Sequence, residues 1–475
     1  MSAQAKALRE DETQNLTPML QSYLEYQKAW PNYIIFFQVG DFYEVFFENA
    51  LKVSKALNIT LTSRDKNKEN PVPMCGVPVQ VIDSYLSRLV EQGFSAVVVS
   101  QTGETNKGRF LREIERVVTP GITVCLQEDK DTAKGGVLAI AENSSSLALA
   151  YCLVEEKKVY LKEESSIKDL LWLASQVEPK ELVFNKNSFV NSQNRLLAKK
   201  NLEKQLNINA KTVPLDLHSL SEAKEILKNC PTSLSLNSLS PCAKEALYTL
   251  VSYISQIVRA PFKIEQIVKW KEKDTVEIDS VTRANLELIK NLQDGSERWT
   301  LYSYLNKTIT SLGSSLLKKW ICAPLAKAEK IQKRLEGVEY LANSFEFLTS
   351  VQSALKGISD LYRLSLRLEI KIINPKELSA LRDSLNKIKK LEKLLTDKDS
   401  SLPFLLKNLK QQLQIPEEVL DKLNKALVDS PPYLLKEGRV FKEGYDKELD
   451  DLYNLTTHSK DWFINFEQRE KEKTG

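Results

Sequence analysis

Glycine is scarce in this sequence, with 15 residues in 475, roughly half its usual share of about 7%. Glycine-lined phosphate loops are correspondingly few. No G-x-x-x-x-G-K-[ST] occurs, which excludes a P-loop within these residues; Gly135-Gly136 lacks the following lysine and reads as a loop. Histidine is rarer still, with only His218 and His458. None of the six cysteines (Cys75, Cys125, Cys152, Cys230, Cys242 and Cys322) forms a C-x-x-C pair. That excludes zinc sites of the common types and points to reduced thiols in a cytosolic protein. No apolar run approaches the ~18 residues of a membrane span, and the leading "MSAQAKALREDETQNL" is too polar for a signal peptide. A strong charge of either sign is also missing. The net +4 does not announce a polyanionic partner, although a local basic face can sit within a balanced total.

What is there is ordinary in bulk, with 42% hydrophobic and 27% charged residues over a length that implies roughly three domains. The pattern divides it into 1–127, 128–240, 241–443 and 444–475. In the first part, Thr17-Pro18 opens a helix with a hydroxyl cap and a proline at the first helical position. "NYIIFFQV" reads as a buried strand, "ENALKVSKAL" as a helix, "NITLTS" as a strand, "VIDSYLSRLVEQG" as a helix stopped by Gly93, and "FSAVVVSQ" as a strand. This is a small mixed α/β domain. "LQEDKDTAKGG" (126–136) reads as a linker. A second α/β domain follows, with strands "VLAIAE", "LALAYCLV" and "KVYL", a helix "SIKDLLWLASQV" and a strand "ELVF". From Pro241 onward the spacing is helical. Asn374-Pro375 with Glu377 has the form of a capping box, and Leu378, Leu381, Leu385, Ile388, Leu391 and Leu395 make one apolar stripe. The lysines of "NKIKKLEKLL" form a solvated face. The last helix, "YDKELDDLYNL…FEQREKEK", runs to Gly475 without a cap and looks cut rather than finished.

One decapeptide resists a purely structural account. "QVGDFYEVFF" (38–47) sets four aromatics and two carboxylates behind one glycine. In a strand, Phe42 and Glu44 share one face while Asp41, Tyr43 and Val45 share the other. Aromatic strands are mostly core, yet an unpaired buried carboxylate costs several kcal/mol. The other reading is a wedge and a reader. Phe42 would stack on or between bases, worth roughly 1–3 kcal/mol per base. Kinking the duplex is least costly where a mispair has already weakened stacking. Glu44 would then contact a base. Ionised, it accepts from a base N–H; protonated, it donates to a ring nitrogen, and a polyanion nearby raises its pKa.

"LTPMLQSYLEYQKAWPNYIIFFQVGDFYEVFFENALKVSKALNITLTSR", with its intact G-D-F-Y-E, resembles the mismatch-recognition domain of the MutS family, and "NPVPMCGVPVQVIDSYLSRLVEQG" and "FLREIERVVTPGITV" continue the likeness. "VEIDSVTRANLELIKNL", "TSLGSSLLKKWICAPL", "DLYRLSLRLEIKIINPKEL" and "SPPYLLKEGRVFKEGYDKELDDL" resemble later stretches in the same order. The resemblance implies a recognition domain, an RNase H-like α/β connector and a long-helix core/lever domain, with 444–475 leading toward a clamp. It implies that Phe42 stacks at the mispair and Glu44 hydrogen-bonds the mispaired base. It also implies binding to double-stranded DNA with mismatches or small loops, a homodimer, a downstream MutL-like factor, and a cytoplasmic, nucleoid-associated location. ATP and magnesium belong to a family ATPase domain that these residues do not include.

Further candidates lie in the first domain: Arg64 and Arg112 for phosphate or minor groove, and Met74 as an apolar prop near DNA, each with an ordinary surface or core role as the alternative. Gln80 stands where the family often has histidine, and "LALAYCLVEE" lacks the family's D-x-S-T-G-like pattern. A nuclease would need carboxylates clustered for two metals, and the strand "LALAYCLV" has none. No catalytic, cofactor or metal residue is expected in this chain. The competing reading is a non-catalytic helical scaffold, a vestigial member of the family without specific DNA binding.

Overall fold

The structure, a computed structural model, describes residues 16–474 except 65–70, 107–108, 124–135, 143–145, 165–173, 175–176, 178, 186–202, 204–207, 209, 214–216, 229, 231–235, 260–261, 270–274, 277, 279, 434, 436–437 and 458. It divides into two compact units: 1–273 with 279–282 and 369–372, and the remainder of 274–475.

The first unit contains two six-stranded sheets. The first sheet has the order β3-β4-β2-β1-β5-β6, built from β1 (Ile34–Val39), β2 (Phe42–Phe46), β3 (Thr62–Arg64), β4 (Val72–Pro78), β5 (Ala96–Asn106) and β6 (Arg109–Val118). Helices α1 (Pro18–Ala29), α2 (Phe47–Leu57) and α3 (Ile82–Glu91) accompany it. The apolar run of β1 is explained by burial on both sides, since Ile34, Ile35, Phe36 and Phe37 are all in the core. Tyr23 of α1 packs edge-on against Phe46 and Phe37, at ring-centroid distances of 5.1 and 5.9 Å. On the opposite face α2 lies against β4, where Cys75 Sγ reaches the Ala50 carbonyl at 3.5 Å. Pro18 sits at the start of α1 as expected. The Thr17 hydroxyl makes no cap bond, and the first turn relies on its carbonyl, which accepts from the Gln21 N–H at 3.0 Å.

The second sheet has the order β11-β10-β7-β8-β9-β12, from β7 (Val137–Glu142), β8 (Leu147–Leu153), β9 (Lys158–Glu164), β10 (Glu181–Asn185), β11 (Ala210–Val213) and β12 (Gln266–Lys269). "LALAYCL" alternates large and small residues. Leu147, Leu149, Tyr151 and Leu153 join one core cluster with Leu138, Ile140, Leu182 and Phe184. Ala148, Ala150 and Cys152 point the other way. That small-residue face admits helix α5 (Pro241–Val258), which packs on β7, β8 and β10, beside α4 (Leu217–Lys228). The boundary expected at 240/241 is therefore displaced. α5 is buried nearly all round and closes the second sheet, and β12 beyond it extends that sheet by pairing with β9. The expected linker at 126–136 and the expected helix at 166–177 fall almost wholly outside the described residues.

The second unit is helical, with α6 (Ser311–Cys322), α7 (Ala328–Ala342), α8 (Phe345–Leu355), α9 (Pro375–Asp397), α10 (Phe404–Gln412), α11 (Glu417–Ala426), α12 (Lys447–Thr457) and α13 (Ser459–Thr474). The expected capping box at the head of α9 is present. Asn374 Oδ1 accepts from the Glu377 N–H at 2.9 Å, and Glu377 Oε2 accepts from the Asn374 N–H at 3.1 Å. The stripe of α9 packs against α8, α10 and α11, with Phe347, Leu391, Leu395 and Leu402 in one cluster. Lys389, Lys390 and Lys393 are exposed as expected, and Lys389 pairs with Glu417 at 2.5 Å, whereas Lys387 is half-buried and donates to the Gly357 carbonyl at 3.1 Å. No helix among the described residues is long and apolar enough to cross a membrane.

Candidate nucleic-acid interface

The candidate site is one face of the first sheet. β2 pairs antiparallel with β1 (Phe37 opposite Glu44) and with β4 (Phe42 opposite Pro78, Glu44 opposite Gly76, Phe46 opposite Met74). β3 pairs with β4, placing Thr62 opposite Met74 and Arg64 opposite Val72. On the other side β1 runs parallel to β5 (Phe37 beside Val99), and β5 pairs with β6 (Gln101 opposite Arg112). Directly paired residues share a face, as do residues two apart. Phe42, Glu44, Arg64, Met74 and Arg112 thus all lie on one side of the sheet, although they come from four strands.

α1 covers this face over Phe37 and Phe46 and leaves its other end open. Of the four aromatics in the decapeptide, Tyr43 and Phe46 are core, Phe47 is half-buried, and Phe42 is 48% exposed. The core reading therefore accounts for Tyr43 and Phe46 and fails for Phe42. The turn that presents Phe42 depends on Gly40, whose φ of +59° suits glycine. A backbone bond from the Val79 N–H to the Asp41 carbonyl, 2.9 Å, anchors the same corner.

Behind Phe42, on the opposite face, the Tyr43 hydroxyl lies 2.6 Å from Ser100 Oγ and donates to Glu115 Oε2 at 2.8 Å. Burial, then the neighbouring Glu115 charge, raises the phenol pKa, so Tyr43 stays protonated. The register of β5 and β6 shifts between Val98 and Val99; Val98 pairs with Arg116 and Val99 with Ile114, which leaves Glu115 as the extra residue that reaches Tyr43. Arg116 binds Asp83 at 2.5 Å on this side.

Glu44 is neither free nor fully sealed. Its Oε2 accepts from Arg64 Nη1 at 3.1 Å, with the Glu44 side chain 15% exposed. Burial pushes its carboxyl above the usual carboxylate range, and the Arg64 charge opposes that shift. Arg64, a candidate for phosphate or minor groove, is thus engaged with Glu44. Arg112 is stacked over the Phe37 ring, 4.6 Å from its centroid, with Nε reaching the Gln38 carbonyl at 3.4 Å. Met74 is half-buried beside Gly76, and Gln80 is exposed in the turn before α3. Sequence reasoning missed the roles of Gly76 and Glu115. A glycine inside a strand marks close approach and was available as a signal; the bulge that redirects Glu115 had none.

At Gly136 the structure does not fit a phosphate cradle. Gly136 is buried, and the Tyr151 ring fills the space where a Cβ would stand, so this glycine serves packing rather than a phosphate cradle. Among the described residues no three His, Cys, Asp or Glu side chains are placed to hold a metal ion.

Comparison with known proteins returns two domain matches, MutS domain I over residues 17–127 and MutS domain III over 281–473. The DNA mismatch repair protein MutS of Staphylococcus carnosus is 30% identical over 465 residues, covering 97% of this chain and 51% of that protein. The Caldicellulosiruptor bescii protein of the same name is 32% identical over 470 residues, covering 97% and 52%. That of Staphylococcus aureus is 29% identical over 469 residues, covering 97% and 51%. The chain spans about half the length of these curated relatives.

Proposed function

The chain belongs to the MutS family, and we propose that it binds mismatched DNA in mismatch repair through the open face of its first sheet. Phe42 wedges at the weakened base step from the minor groove, the duplex kinks, and Glu44 hydrogen-bonds the displaced base. The observation that carries this reading is the exposure of the Phe42 ring, 48%, on the same sheet face as Glu44, Met74, Arg64 and Arg112. A large exposed ring at the end of an otherwise sealed aromatic strand suits stacking on a base rather than folding.

Discrimination in this reading comes from deformability. A mispaired step is easier to unstack, so the same wedge costs less there than in a matched duplex. The second sheet is read as the RNase H-like connector, and the helical unit as the core with the start of the lever. The homodimer and the MutL-like partner belong to the same proposal. No step of this reading runs through ATP or magnesium.

The test is a band shift comparing a duplex with one G·T mispair and its matched control. The mismatched duplex binds more tightly to the wild-type chain, and Phe42→Ala removes that preference, by about tenfold for ~1.4 kcal/mol of stacking. Equal binding of both duplexes, unchanged by Phe42→Ala, would overturn the proposal in favour of a helical scaffold without specific DNA binding.

A further inference from the structure

Glu44 reaches Arg64 across an intervening strand. Arg64 is on the edge strand β3, Glu44 on β2, and β4 lies between them. Gly76 on β4 is the residue paired with Glu44 along that crossing. A Cβ there would stand 3.2 Å from the Tyr43 carbonyl oxygen, a tight approach to backbone, and in ordinary contact with Glu44 Cγ at 3.5 Å, so the glutamate stem lies directly over this glycine. The pair is lopsided in exposure, at 15% for the Glu44 side chain and 35% for Arg64. The carboxylate is mostly withdrawn from water, while the guanidinium keeps a solvent-facing side. A guanidinium fork fits a carboxylate and a phosphate equally well, so a DNA backbone is a natural competitor for it.

We propose that Arg64 is a positioning residue for Glu44 that exchanges partners on DNA binding: it clamps the carboxylate in the free protein, and a backbone phosphate then takes the guanidinium and releases Glu44 toward the base. This rests on the mispair-reading role given above to Phe42 and Glu44. The exchange balances in charge and protons. Arg64 stays protonated and trades one anion for another. Glu44, left half-buried beside a polyanion without its cation, takes one proton from solvent and donates it in a hydrogen bond to an acceptor on the base.

Few described groups compete with Arg64 for control of that proton. On the same face β4 contributes Met74 and Gly76, and β1 contributes Phe37. Arg112 from β6 is stacked over Phe37, and Tyr23 and Tyr26 of α1 pack against the same ring. Glu25 and Glu113 act on Tyr26. Tyr43, Glu115, Arg116 and Asp83 interact on the opposite side, and Asp41 lies in the turn. Burial raises the Glu44 pKa, and the charge that opposes it is that of Arg64.

The experiment measures binding of the G·T and matched duplexes to the 475-residue wild-type chain and to Arg64→Gln, Arg64→Lys, Glu44→Gln and Phe42→Ala, across mildly acidic to mildly alkaline buffers and a salt series. Circular dichroism confirms that each variant is folded. Wild-type mismatch preference weakens as pH rises. In Arg64→Gln it persists to more alkaline buffer, because the carboxyl already holds its proton there. The same variant binds both duplexes more weakly, with a log–log salt slope smaller by about one for the lost phosphate contact. Arg64→Lys restores the wild-type pH profile, and Glu44→Gln is flat in pH whether or not Arg64 is present. An Arg64→Gln pH profile and salt slope equal to wild type, while Phe42→Ala still abolishes mismatch preference, would overturn the partner exchange and leave mispair reading standing. An unchanged preference in Phe42→Ala would remove both.

Discussion

Each of the two sheets carries a strand glutamate facing a basic partner, and the two meet burial in opposite ways. Glu181, at the start of β10, is 2% exposed and fully engaged. Lys211 of β11 pairs with it, Thr119 Oγ1 donates to it at 2.7 Å, and the Tyr253 hydroxyl of α5 donates at 3.0 Å. Lys211 also donates to Ser95 Oγ at 2.8 Å and lies 5.2 Å from the Tyr33 ring centroid. The network thereby ties the first sheet to the second. Burial and then the Glu181 charge raise the pKa of both Tyr33 and Tyr253, so both phenols remain protonated. Among the described residues Glu44 has one ion pair, with Arg64, beside an exposed ring. A carboxylate whose lone pairs are filled by protein groups holds the structure together, whereas one held by a single exchangeable cation is available to a ligand.

The decapeptide holds the same contrast in miniature, and it gives the largest expected effect. Phe46 is fully buried against Tyr23, so Phe46→Ala lowers stability by about 3–5 kcal/mol. Phe42→Ala, four residues away on the same face, changes stability by less than about 0.5 kcal/mol. Urea midpoints of the two variants check this, and a comparable loss in both would erase the distinction between core ring and wedge. Next in size is Glu181→Ala. It strands the Lys211 charge and the Thr119 hydroxyl and costs about 3 kcal/mol, the low end for a broken buried pair because Lys211 is a quarter exposed. A shift under a third of that size would mean that water replaces the lost carboxylate and that the seam is not sealed. Tyr43→Phe is smaller. Removing the hydroxyl that meets Ser100 and Glu115 costs about 1 kcal/mol, read in the same urea series.

These contrasts were only partly legible in the sequence. Short apolar runs located β1, β7, β8 and β10, helical spacing located α2 and α3, and the Asn374–Glu377 pair marked the start of α9, because those signals are local. The alternation in 42–44 put Phe42 and Glu44 on one face, but alternation does not say which face stays open. That depends on where α1 stops. The partner of Glu44 was not legible either, because Arg64 pairs with it across a third strand at a glycine gap. α5 was assigned to the helical region on its period. The absence of any charged residue from Ala246 to Val258 was the clue that it is a core helix of the second sheet. One hydrogen bond of the Glu181 network, from Lys211 to Ser95, spans 116 positions, and no local pattern announces it.

The smallest expected effect tests the comparison at Glu44 itself, through pH. Its pKa in the folded chain is raised, mainly by burial, with Arg64 pulling the other way. A carboxyl with a raised folded pKa contributes stability while it is protonated, below its unfolded pKa, and that contribution is lost as pH rises through the folded value. Glu44→Gln is neutral at every pH and keeps the shape. The variant therefore matches wild type in acid and becomes the more stable of the two as pH rises past the carboxylate range. The difference stays well under about 1 kcal/mol, because Arg64, itself 35% exposed, offsets part of the burial. Urea midpoints at mildly acidic and neutral pH measure it. A wild type that instead gains on Glu44→Gln as pH rises would mean that the ion pair with Arg64 outweighs burial, making Glu44 a structural carboxylate of the Glu181 kind rather than one held ready for a base.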